Sequence, residues 1–211
     1  SVTAIEARDP ITSGHSGRVA NMTVGLAQCL NRETSGPLKD LKLSDQQLQE
    51  IRYASLLHDF GKIGVRENVL LKGQKLFPHE LETVMLRLET MRAKNESKKW
   101  RGFVEFLSKT PQGEAQVIQN LLNQGFFKTM SDIDSFNSNL EKIRGDILKA
   151  NESQVMGDDL DIKSLINTIQ TASKEVNQIV LNEYEIGQLS IPKGTLSKLE
   201  RNEIESHVSF T

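Results

Sequence analysis

Histidine occurs at four positions, His15, His58, His79 and His207, and three of them have neighbours suited to metal or phosphate chemistry. His58-Asp59 follows the apolar run Ala54-Ser55-Leu56-Leu57 and precedes Gly61 and Gly64, so an imidazole and a carboxylate meet at a helix end just before a turn. Adjacent side chains on a helix diverge by about 100°. That divergence suits Asp59 to bridge two metal ions while His58 binds one of them, and a carboxylate bridge holds such ions about 3.5–4 Å apart, close enough to activate a shared hydroxide. Lys62 then brings an ammonium to any phosphate bound there. By itself a His-Asp pair is more often an ordinary hydrogen-bonded pair, so the weight rests on the string around it. His79, between Pro78 and Glu80, has no such company and reads as a surface residue.

The elements that must position these groups are helices. Ser13 to about Asn31 carries Val19, Met22, Val24, Leu26 and Leu30 on a broad apolar stripe, with Thr12 or Ser13 as its cap. Ser44 followed by Gln47 forms the capping-box pattern, and predicts a second helix running to about Asp59. Gly61 and Gly64 stop it, two glycines in four residues favouring left-handed or turn geometry. Pro78 fits the first position of a further helix through Leu81, Val84, Met85, Leu88 and Met91. From about Phe77 to Leu189 the chain is rich in Lys, Glu, Asn, Gln and Ser, broken at 110–113 and 157–159, and reads as an inserted module of three to five helices. Its last long helix is expected over Ile162 to about Tyr184, with an apolar stripe best explained by packing.

Composition narrows the class. A length of 211 residues supports a buried core without disulfides. Lys plus Arg at 26 against Asp plus Glu at 28 gives a net charge of -2, which offers no global attraction to a nucleic-acid backbone and argues against DNA as a partner. No apolar run approaches the roughly 20 residues of a membrane span. The single cysteine, Cys29, can form neither an internal disulfide nor a thiolate cluster, as expected of a reducing, cytoplasmic setting. Val2, Ile5 and Ala7 already belong to an apolar rhythm, so the chain is expected to begin inside a longer polypeptide, after an upstream sensor or regulatory module.

The string His58-Asp59-Phe60-Gly61-Lys62-Ile63-Gly64, with His15-Ser16-Gly17-Arg18-Val19-Ala20 upstream, resembles the HD phosphohydrolase superfamily and, more narrowly, the HD-GYP family of bacterial cyclic di-GMP phosphodiesterases. Arg8-Asp9-Pro10 before Gly14-His15-Ser16 is similar to that family's first helix, and Gly194-Thr195-Leu196 to Glu205-Ser206-His207 to its later loop and helix, where a further histidine falls. The resemblance implies an all-α HD-domain bundle with an inserted helical module: 1–76 and 189–211 would belong to the HD-GYP-like domain, cut short at its C-terminus, and 77–188 would be the insertion. It implies metal ligands at His15, His58, Asp59 and His207, Asp59 being the bridge, and two divalent ions, often iron or manganese. Lys62 would be a phosphate contact or proton donor. Arg18 is a second candidate phosphate contact, the alternative being an exposed helix arginine paired with a carboxylate.

The implied reaction is attack of a metal-activated hydroxide on a phosphodiester, opening cyclic di-GMP to linear di-GMP or GMP. Departures accompany the likeness. Ile11 stands where trinuclear members carry a glutamate, and the family's later histidine pair, further aspartate and Gly-Tyr-Pro loop have no counterpart. A different class of function therefore stays open: a degenerate HD-type signalling module that binds a nucleotide or partner protein without turnover. For the insertion the expectations are to cover the site, bind a partner or mediate a homodimer. His and Asp ligands alone do not choose among iron, manganese, zinc and nickel.

Overall fold

Capping residues and apolar stripes fold the chain into helices that divide between two units. The structure, a computed structural model, describes residues 14–109, 115–152 and 161–210, without the side chains at 116, 117 and 210. Its helices are α1 (His15–Arg32), α2 (Asp45–Leu57), α3 (Glu67–Leu70), α4 (Pro78–Lys109), α5 (Ala115–Asn151), α6 (Ile162–Val176), α7 (Glu183–Leu189) and α8 (Lys198–Glu205). Tight 3-10 turns span Phe60–Gly64 and Ser206–Phe210, and no strand occurs among the described residues. The protein is all-α. None of the described helices is long and apolar enough to cross a membrane.

The first unit comprises 1–72 and 196–211, the second 73–195. These limits differ from the 76/77 and 188/189 divisions expected from sequence. The physical reason is the anchoring of 74–76: the Lys75 N–H donates to the Asn151 carbonyl at 3.1 Å, the Leu76 N–H to Asn151 Oδ1 at 2.7 Å, and Leu76 and Leu189 are both buried in the second unit's core.

In the first unit α1 packs on α2 through Ala20 and Ala27, which are small enough to let the helices approach. Asn31 closes the loop between them, donating from Nδ2 to the Leu43 carbonyl at 2.8 Å and accepting the Leu43 N–H at 2.7 Å. Ser44 and Gln47 form the reciprocal capping box anticipated for α2. The start of α1 departs from expectation: Gly14, in the left-handed region at φ 68, stands at its N-cap with no side-chain hydrogen bond. Thr12 and Ser13 lie outside the described residues. The C-terminal half of this unit is held by two ion pairs. Lys72 Nζ meets Glu200 Oε1 at 2.7 Å with both side chains buried, and Arg66 Nη2 meets Glu203 Oε2 at 2.6 Å.

In the second unit α4, α5, α6 and α7 enclose a core of Val84, Leu88, Met91, Phe136, Leu140, Ile143, Ile147, Leu165, Ile169 and their neighbours. Pro78 is the first residue of α4, as its fixed φ favours. Arg87 donates from Nη1 to both carboxylate oxygens of Glu185 at 2.8 Å, fastening α4 to α7. The single helix expected from Ile162 to Tyr184 is a correction: it ends at Val176 because Asn177 turns left-handed at φ 51, and the Asn182–Glu185 capping box starts a new helix. The breaks read at 110–113 and 157–159 lie outside the described residues.

Candidate functional site

The site forms within the first unit, where α1, the end of α2 and the two 3-10 turns meet. Helix α2 stops at Leu57, earlier than the expected Asp59, with His58 at its C-cap and Asp59 at the head of the Phe60–Gly64 turn. This change of backbone aims the two side chains at one place: His58 Nε2 is 3.5 Å from Asp59 Oδ2. His15, on the first turn of α1, stands edge-on to His58 with ring centroids 5.5 Å apart. Ligand atoms of His15, His58 and Asp59 all lie within 4.8 Å of one another. His207 approaches from the other side, Nε2 at 3.6 Å from Asp59 Oδ1. The two oxygens of Asp59 thus face different histidines.

Gly61 makes this convergence possible, for a reason other than the one read from sequence. Its φ is not positive. What it supplies is space: a Cβ there would lie 2.0 Å from the His207 carbonyl oxygen and 2.8 Å from its carbonyl carbon. Any side chain at 61 would push the turn carrying His207 away from Asp59.

Backbone carbonyls fix the imidazoles. His58 Nδ1 donates to the Ser55 carbonyl at 2.8 Å, and His207 Nδ1 donates to that of Ile204. A carbonyl only accepts, so each Nδ1 carries a proton and each ring turns Nε2 toward the carboxylate. The donor set of imidazole nitrogens and a carboxylate therefore fits a divalent transition metal, with the Nδ1 bonds as the support that metal-binding histidines require.

Lys62 Nζ lies 2.9 Å from Asp59 Oδ2, and both side chains are largely buried. Burial pushes the Asp59 carboxyl up, but the hydrogen bond and charge of Lys62, with the charges of His58 and His207, outweigh it and hold the group below its ordinary value. Arg18, one turn beyond His15, is exposed, and its Nη1 comes 3.1 Å from where a Cβ on Gly14 would sit. His79 is exposed and stacks on Phe77 with centroids 5.9 Å apart, away from this cluster in sequence and in unit. Ile11 lies outside the described residues. Sequence reading missed the Lys72–Glu200 pair and the spacing role of Gly61. The pattern Ser197-x-x-Glu200 marks a helix start, but nothing in the spacing points from Glu200 to Lys72, 128 residues away.

Fold and site together define an all-α protein with a histidine–aspartate cluster that could hold metal. Comparison with known proteins gives the class a direction. A probable cyclic di-GMP phosphodiesterase of Vibrio cholerae serotype O1 is 39% identical over 79 residues, which are 37% of this chain and 17% of that protein. The 3'3'-cGAMP-specific phosphodiesterase 3 of the same organism is 38% identical over 80 residues, 38% of this chain and 15% of that protein. The chain thus spans less than a fifth of the length of either relative. No protein-family model and no solved structure matches it. Over these roughly 80 residues the chain is thus similar to two proteins named as cyclic-dinucleotide phosphodiesterases.

Proposed function

We propose that the chain carries the site of a metal-dependent phosphodiesterase of HD-GYP type that hydrolyses a cyclic dinucleotide, cyclic di-GMP in the first instance, to its linear form or onward to the mononucleotide. The observation that carries this reading is the placing of Asp59, with one oxygen toward His58 and the other toward His207. His15, His58 and Asp59 would hold one divalent ion, iron or manganese, and Asp59 with His207 would contribute to a second. Bound metal lowers the pKa of water and neutralises phosphoryl oxygens.

The chain's own residues do the rest. The Ser55 and Ile204 carbonyls keep His58 and His207 in the tautomer that presents Nε2. Asp59, held ionised, keeps the Lys62 ammonium at the edge of the cluster, where it binds a non-bridging phosphate oxygen and delivers a proton to the leaving oxygen. Arg18, exposed one turn beyond His15, contributes to phosphate binding.

Incubation of the chain with cyclic di-GMP or 3'3'-cGAMP and manganese or ferrous iron tests the reading by chromatography of the products. Linear product that disappears in Asp59→Asn and with chelator is expected; equal turnover by that variant would contradict it. The second reading, binding without turnover, is favoured by the Lys62–Asp59 contact, which already gives the carboxylate a cation. It expects the dinucleotide to bind and to be recovered intact.

A further inference from the structure

His207 faces Asp59 from the turn that follows α8, and its backbone closes on Gly61. One point of close approach lets a helix end pivot, whereas a second point one turn away fixes its direction. Glu203 stands four residues before His207, the spacing that brings two helical side chains to one face. Its carboxylate meets Arg66, which follows the Phe60–Gly64 turn and its C-cap Val65. Three donors converge there. The Arg66 backbone N–H reaches Oε1 at 3.2 Å, Nε reaches Oε1 at 3.0 Å and Oε2 at 3.1 Å, and Nη2 reaches Oε2 at 2.6 Å. Main chain and guanidinium fork together fix both the position and the plane of the carboxylate, which a single ammonium would not. The last turn of α8 carries that constraint onward: the Glu203 carbonyl accepts the Ser206 hydroxyl at 2.7 Å, and the Ile204 carbonyl accepts His207 Nδ1.

We propose that Arg66 and Glu203 are positioning residues of the candidate site, clamping the end of α8 so that the His207 imidazole stays against Asp59. The inference rests on the metal-dependent reading only in giving His207 an ion to hold; the placement itself belongs to the metal-free chain. The clamp differs in kind from the Lys72–Glu200 pair at the first turn of α8. That pair is buried, and its loss costs stability. The side chains of Arg66 and Glu203 are 65% and 27% exposed, and exposed ion pairs contribute little to folding. What so many directed bonds on one carboxylate supply is orientation. Glu203 sits one turn nearer the histidine than Glu200 does, on the segment whose direction decides where Nε2 points.

Nuclear magnetic resonance on the metal-free full chain reads the placement directly. In wild type the Gly61 α-protons should show strong cross-relaxation with His207 Hα, because a Cβ on Gly61 would lie 3.0 Å from the His207 Cα. Arg66→Ala and Glu203→Gln should each lose most of that signal while circular dichroism shows wild-type helicity. Glu205→Gln, which removes a charge from an exposed position of the same helix, should keep it. Zinc titration followed at the histidine Cε1–Hε1 resonances adds a readout that lost stability alone would not give. His207 should need about tenfold more zinc in either clamp variant, within the about 10–100-fold that losing an outer support costs a metal site, while His15 and His58 respond near the wild-type concentration. A Gly61–His207 signal absent from wild type or undiminished in both clamp variants would overturn the proposal. So would a zinc response weakened equally at all three histidines. If no histidine of the wild type responds to zinc, the metal-dependent reading fails, and the cross-relaxation still decides the clamp.

Discussion

Gly61 and His207 are packed backbone against backbone: the place where a Cβ on Gly61 would fall is 2.0 Å from the His207 carbonyl oxygen. The contact joins the turn that follows Asp59 to the turn near the end of the described chain, and so sets the separation of His207 Nε2 from Asp59 Oδ1. Histidine placement here is a consequence of a missing methyl group.

Gly61→Ala should therefore separate the two turns. A methyl forced against backbone has no flexible side chain to displace, so a loss of about 1–3 kcal/mol in stability is expected. Titration calorimetry with Mn²⁺ should show weaker binding than in wild type. Unchanged stability and unchanged affinity would show that the turns part without consequence.

The Lys72–Glu200 pair predicts an asymmetry between single and double replacements. Lys72→Ala leaves the buried Glu200 carboxylate with no cation and should cost about 3–5 kcal/mol, whereas Lys72→Met with Glu200→Leu should cost far less. Urea denaturation of the three chains distinguishes them. Equal costs would mean that the pair is screened like a surface one.

Acid stability should report the same group. Burial raises the Glu200 carboxyl, but hydrogen bonds from Lys72 and Ser197 outweigh it and hold it below its ordinary 4.5. The unfolded chain then binds the proton more readily, so the stabilisation is full above about pH 4.5 and is lost as pH falls through the depressed folded value. Glu200→Gln should flatten that part of the stability profile relative to wild type. Parallel profiles would contradict the assignment.

In the second unit Asn95 is fully buried, and among the described residues neither its Nδ2 nor its Oδ1 has a hydrogen-bond partner. Asn95→Leu should raise the thermal midpoint, by the equivalent of about 1–3 kcal/mol, because burying an unpaired amide is costly. A fall instead would show that the amide is satisfied in solution.

Local chemistry explains which features the sequence carried. Ser44 with Gln47, Pro78 and the apolar spacing from Ile162 to Val176 act within a few residues of themselves, and each appears in the structure as its chemistry dictates. The His58-Asp59 pair and its glycines were equally visible. Asn177 was not, because Ile179, Val180 and Leu181 continue an apolar pattern past a residue whose left-handed turn depends on its backbone angles. Nor were the features that arise only when distant segments meet: the Lys72–Glu200 pair, the carbonyl that leaves no room at Gly61, and the anchoring of Lys75 and Leu76 to Asn151 that sets the limit of the second unit.

Metal content per chain, measured by elemental analysis on anaerobically purified wild type beside Asp59→Ala, tests the central claim most directly. The account predicts at least near-stoichiometric iron or manganese in wild type and its loss in the variant. Equal metal in both chains, or none in wild type, would contradict it.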